Sequence, residues 1–315
     1  MKLDIDTLRR DDYGFFGPGS PSWKVWASPT ALIGFQRAVV LEHFDPALAA
    51  SVADMRGIYA DPAGRLDRTL AYFLAVAVGD GRTAVGLSEH LMSVHAQSTG
   101  IEPVTGKRYS ANNPESQLWI HVTGWHSVLK CYEMYGPGPL SADAEARFWR
   151  ECVAAAELQT CRPSDVPTSR AEVRDYFAAV RPRLCTTERA LEAMHYLLRT
   201  PRGAGPTYMA LSRVTAPATI ATLPGWMRQL GGFDQSALTD RAIVPVTRAI
   251  HRTLAARNGR LLVAGGGRVA PMTVRIFDRH NRAGEPASPH TVTPAGAMRR
   301  HGSRRARTAT TTAAS

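Results

Sequence analysis

At 315 residues, 44% hydrophobic and 21% charged, the chain can bury the core of one large domain or two small ones, and its composition is ordinary for a globular protein. The net charge is +11, but residues 279–315 hold seven arginines against one acid, Glu285, and so carry six of those charges. The body therefore lacks the charge excess of a nucleic-acid binder. Cysteines 131, 152, 161 and 185 form neither a CxxC pair nor C-x-x-C-H, which excludes covalent c-type haem attachment by that motif and reads as buried reduced thiols.

No run reaches the roughly 18 uncharged apolar residues of a membrane-spanning helix. The opening MKLDIDTLRRDDYGFF has no apolar core of an export signal, so a cytoplasmic location is expected. Residues 1–30 are expected to be irregular, because 14–30 (GFFGPGSPSWKVWASPT) is dense in Gly, Pro and aromatics. Apolar helices are expected over 31–57, broken near Asp45-Pro46, since proline disfavours helix at the residue before it. The next helix is bracketed by Asp61 as N-cap, Pro62 first and Gly79 at its end, with Leu66, Leu70, Phe73, Leu74 and Ala77 on one stripe.

A helix over 83–98 and a loop with Pro103, Gly106 and Asn112-Asn113 follow. Asn113 and Pro114 then open a helix with Leu118, Val122, Trp125, Leu129 and Tyr132 on one face, ending at Gly136-Pro137. Further helices are expected at 141–160, 169–181 (a Ser169/Glu172 capping box), 187–199, 206–222 and 239–257. Only 261–264 and 272–277 carry strand signals, and Gly265-Gly266-Gly267 reads as a turn, lacking the Gly-Lys-Ser/Thr of a phosphate loop. The reading is thus all-α: one globular multi-helix domain over 31–278, followed by a disordered basic tail over 279–315.

Four histidines fall in one stretch, at 90, 95, 121 and 126. Each pair is five residues apart, about 140° around a helix, so neither pair faces one way; HExxH is absent, and so are the Glu-x-x-His pairs of di-iron bundles. What survives is a single-histidine site. His95 shares an apolar face with Leu91 and Met92 and could ligate haem iron, or be a satisfied core histidine. His121 is the next candidate, on the row of Gln117 and Gly124; helix packing is the plainer reading there. Arg65 and Thr69, four apart, project beside the apolar stripe, where the guanidinium would meet a propionate or substrate oxygen, or an acid at Asp61, Glu42 or Asp67. No G-x-S-x-G is present, which leaves a hydrolase as the weakest reading.

The blocks YADPAGRLDRTLAYFLAVAVGD (59–80) and VHAQSTGIEPVTGKRYSANNPESQLWIHVTG (94–124) resemble the central signature of the MpaB-like oxygenase and latex-clearing-protein family. So, in order, do GPGSPSWKVWASPTALIGFQRAVVLEHFDP (17–46), VPTSRAEVRDYF (166–177) and LPGWMRQLGG (223–232). The resemblance implies an all-α fold holding haem b, with dioxygen chemistry on an apolar, alkene- or prenyl-like substrate. It assigns His95 as iron ligand and Arg65 and Thr69 as the pair near the haem. Two departures stand out: Asp45-Pro46 where many relatives have His-Pro, and Met55 near where they have another histidine. No glutamate here matches the proposed base of rubber cleavage, so rubber is not implied as the substrate. The alternative function is a non-catalytic helical domain that binds an apolar ligand.

Overall fold

Helices in this chain begin where a side chain replaces the missing carbonyl partner of a first-turn amide. Asp61 Oδ1 accepts from Gly64 N at 3.0 Å, Asn113 Oδ1 from Glu115 N at 2.9 Å, and Thr187 Oγ1 from Ala190 N at 3.1 Å. The computed structural model describes residues 9–55, 57–256 and 260–303. In chain order its elements are α1 (Pro21–Trp26), α2 (Ala31–Glu42), α3 (Pro46–Met55), α4 (Gly57–Ala60), α5 (Pro62–Val78) and α6 (Gly81–His95). After β1 (Thr99–Ile101) and β2 (Arg108–Ser110) come α7 (Pro114–Tyr135), α8 (Ala142–Ala156), α9 (Arg170–Val180), α10 (Glu188–Leu198) and α11 (Pro206–Thr222). The remainder is α12 (Gly225–Gly231), α13 (Ala237–Ala256), α14 (Arg260–Gly266), α15 (Pro271–Arg282) and α16 (Pro294–His301).

The fold is all-α, as the sequence implied; β1 and β2 form a short antiparallel ribbon with Gly100 opposite Tyr109. Among the described residues no helix is long and apolar enough to cross a membrane.

Helices α2 and α7 make the most extensive packing contact. It depends on Gly34, where a Cβ would lie 2.6 Å from Val128 Cα. Around the inner half of α7, Trp125, Phe148, Phe73 and Trp26 build the main core, with Trp26 stacked on Phe73 at 5.3 Å. A second core gathers Leu41, Phe44, Trp119, Met194, Leu198 and Met227 between α2, α7, α10 and α12.

Four expectations are corrected. The segment expected to be irregular contains α1, capped by Ser20 Oγ. The strand signals at 261–264 and 272–277 fall in α14 and α15, and of the three glycines read as a turn Gly265 and Gly266 close α14 while Gly267 begins the turn that follows. Alternation over Met272–Phe277 is overridden because Asp67, buried on α5, accepts from Met272 N at 2.9 Å and Thr273 N at 2.7 Å, capping α15 from across the fold. The ribbon β1–β2 stands where a loop was expected.

The boundary expected at 278 falls inside α15, and residues 279–303 are built into the body. Arg279 is buried in an ion pair with Asp80 at 2.6 Å. Ala287 N and Ser288 N donate to the carbonyls of Arg10 and Asp11, Val292 N donates to Gly14 O, and α16 lies on α6. This stretch has few large apolar residues. It is held by backbone pairing and one buried charge pair, which composition does not reveal. The rest of the expected tail, 304–315, lies outside the described residues.

Candidate functional site

One face of α2 carries Phe35, Val39, Glu42 and His43, spaced so that apolar side chains lead to a charged end. Against it, α5 presents Arg65, Thr69 and Tyr72 at i, i+4 and i+7, and α6 presents Leu91, Val94 and His95. These faces, closed by α3 and α11, enclose a cavity of about 280 Å³. Its wall is largely apolar, and the polar groups set into it are few.

Arg65 is the central charge. Its guanidinium makes no hydrogen bond or salt bridge among the described residues. The three acids that could have paired it are distributed otherwise. Asp61 pairs with Arg68 at 3.1 Å, Asp67 caps α15, and Glu42 acts on Arg65 through its field alone. Burial lowers the Arg65 pKa, and Glu42 opposes that shift. The other deep arginine on this side, Arg37, is satisfied: it donates to Ser127 Oγ at 2.7 Å and to Thr222 O at 3.4 Å.

Burial pushes the Glu42 carboxyl up to about 7, although Thr123 Oγ1 donates to it at 3.4 Å and Arg65 favours its charge. The two imidazoles are held neutral. Burial takes His43 down to about 4, with the Val39 carbonyl opposing and Arg65 reinforcing. Burial, then Arg65, takes His95 to about 4, with Asn112 opposing. Thr69 Oγ1 donates to the Arg65 carbonyl at 3.0 Å, which leaves its lone pairs for the cavity.

Of the residues singled out by sequence, the structure brings Arg65, Thr69 and His95 to one cavity. His121 is elsewhere. It is 1% exposed in the main core, its Nε2–H donates to the Cys152 carbonyl at 2.8 Å, and its ring lies 5.8 Å from that of Trp125. His90 stands exposed at the cavity rim, and His126 packs 5.1 Å from Phe177 beside Arg37. The departures also separate. Asp45 caps α3 by accepting from Ala47 N and Leu48 N, whereas Met55 lines the cavity.

Sequence reading passed over His43 and named Glu42 only as a salt-bridge option. The available signal was an acid and a histidine side by side at the end of the apolar run ALIGFQRAVVLEH. Among the described residues no three His, Cys, Asp or Glu side chains converge as a metal-ligand set. The cavity instead offers separate neutral imidazoles beside an unpaired guanidinium. That donor set fits a cofactor that brings most of its own metal ligands and carries acidic side groups.

The family described as the catalytic domain of ER-bound oxygenase mpaB/B' and rubber oxygenase matches residues 23–256. No curated protein and no solved structure matches the chain.

Proposed function

Since the chain belongs to the mpaB/rubber oxygenase catalytic-domain family, we propose that the cavity is the site of a haem-b-dependent oxygenation of an apolar, alkene- or prenyl-like small molecule by dioxygen. The observation that carries this reading is the meeting, in one apolar-walled cavity, of two neutral imidazoles and an arginine with no bonded partner among the described residues.

Haem, when bound, supplies the iron that activates dioxygen. An imidazole of the cavity holds it, and Arg65 pairs with a propionate or with a polar atom of bound substrate, at a typical net contribution of about 1.5–3 kcal/mol. Thr69 accepts or relays a hydrogen bond beside Arg65. Glu42, titrating near 7, can hold a proton or release it at the cavity wall. The apolar lining excludes water and orients a hydrocarbon.

A second reading, binding of an apolar ligand without chemistry, is favoured by one observation. A second cavity of about 430 Å³, almost wholly apolar, shares Leu32, Leu66 and Leu211 with the first.

Dioxygen uptake separates the two. Haem-loaded protein given a panel of unsaturated hydrocarbons and prenyl alcohols is expected to consume dioxygen only with substrate and to place labelled oxygen in the product. Arg65→Ala should cut the rate roughly tenfold or more, and His121→Ala should not. Binding of the same compounds without any uptake would favour the ligand-binding reading instead.

A further inference from the structure

The second cavity has two ends. On α11, Thr207, Ala210 and Val214 fall at i, i+3 and i+7, line one side of it and are exposed, Val214 to 62%. They form its mouth. At the other end Leu32, Leu66 and Leu211 are half-buried and border the first cavity as well. The neighbouring face of α11, with Tyr208, Ser212 and Thr215, lines that first cavity. Three leucines therefore stand between the space around Arg65 and a chamber open to solvent. Packed side chains of this kind still change rotamer, so the partition can part for a chain.

The chemistry of the chamber is narrow. Ser28 Oγ is engaged with Thr30 Oγ1 at 2.8 Å and with His251 Nε2 at 3.1 Å, and Thr273 Oγ1 donates to Asp67 Oδ1 at 2.8 Å. Thr207 is at the mouth, and Nε1 of Trp26 has essentially no accessible surface. Among the described residues no charged side chain lines the space. Water needs roughly two to four polar partners to settle in such a place, whereas a hydrocarbon needs none.

The far wall is particular to this chain. Gly265, Gly266, Val269, Ala270, Val274 and Phe277 belong to α14, to α15 and to the turn between them, all beyond residue 256, where the family match ends. Asp67 fixes that wall, because from α5 it accepts two first-turn amides of α15.

We propose that the chamber takes the unreactive hydrocarbon chain of the substrate, passed between the three leucines, while the reacting end lies beside Arg65 and Thr69. This role rests on the oxygenation reading above and adds the shape of the substrate: a long uncharged chain whose reacting group is near one end. Helices α14 and α15 then set the chain length accepted.

The test is photoaffinity labelling of the full-length protein with two farnesol analogues, one carrying a diazirine at the chain end remote from the hydroxyl and one beside the hydroxyl, with labelled peptides mapped by mass spectrometry. The remote label should fall on residues 207–214 or 269–277, and the other on residues 39–43 or 65–69. Val274→Trp, which narrows the chamber from α15, should bind farnesol roughly tenfold or more weakly and the shorter geraniol within about threefold of wild type. Circular dichroism on the same samples shows that the variant is folded. Both labels in the chamber, the remote label in the first cavity, or a folded Val274→Trp that binds farnesol as wild type does would overturn the chain site and leave the oxygenation reading standing. So would a wild type that binds no farnesol. The expected labelling, with no dioxygen uptake by the haem-loaded protein, would overturn the oxygenation reading and leave the chain site.

Discussion

Around Trp125 the side chains interlock: Phe148 lies 5.1 Å away and Trp26 5.5 Å away, ring to ring, and Nε2 of His121 donates to the Cys152 carbonyl while its Nδ1 and Nε1 of Trp26 find no partner among the described residues. Across helix α5 the opposite holds. There the apolar walls stand apart around about 280 Å³ of space, Arg65 has no bonded partner among the described residues, and Nε2 of His43 has none either. One helix serves both regions: Leu70, Phe73 and Ala77 go to the core, and Arg65, Thr69 and Tyr72 to the cavity. Both regions hold polar atoms without partners among the described residues, so the difference lies in the space beside them. In the cavity the Arg65 guanidinium stands beside room that a ligand can fill, whereas in the core aromatic rings pack around the unpartnered atoms.

Truncations should register the contrast. Trp125→Ala removes a fully enclosed ring and is expected to cost about 3–5 kcal/mol in a urea titration. A loss under about 1 kcal/mol would mean that the core is not close-packed there. Gly34→Ala should come next. Its methyl group would have to displace the α7 backbone at Val128, and overpacking of this kind costs about 3 kcal/mol. Normal stability in that variant would show that α2 and α7 are not in such close approach.

The third expectation concerns charge. Glu42 binds its proton more tightly folded than unfolded, so the stabilisation from that proton is complete below 4.5 and lost as pH rises through about 7. Glu42→Gln has no proton to lose. Between about pH 5 and about pH 8 it should gain on wild type by roughly 2–3 kcal/mol. A stability difference that does not change with pH would place Glu42 in water rather than in the cavity wall. The smallest effect is expected at Leu66, which stands between the two cavities. With empty space already on both sides, Leu66→Ala should cost only about 1–2 kcal/mol. A cost equal to that of Trp125→Ala would erase the distinction between core and cavity.

Much of the helical framework was legible because its signals are local. Asp61, Asn113, Ser141, Ser169 and Thr187 were read as caps or helix starts, and each accepts a first-turn amide. Even the capping box at Ser169 is half present; Glu172 reaches back to Thr168 N, one residue earlier than expected. Arg65 and Thr69 were legible as a pair by their spacing. What stayed hidden depends on distant partners. Which acid faces Arg65 was decided by Arg68 taking Asp61 and by α15 taking Asp67, neither of which spacing can show. His43 was passed over for the same reason, since its place beside a cavity assembled from several helices is not a local signal. Arg279 looked like part of a charged tail until Asp80, 199 residues away, supplied its partner.

The proposed role of the cavity as a haem site is tested most directly by adding hemin stepwise to the purified apo-protein and following the Soret absorption. A break at about one haem per chain, with a sharpened and shifted Soret band of an imidazole-ligated form, is expected from a single cavity of this kind. A Soret band that stays that of free hemin at every ratio would contradict the account.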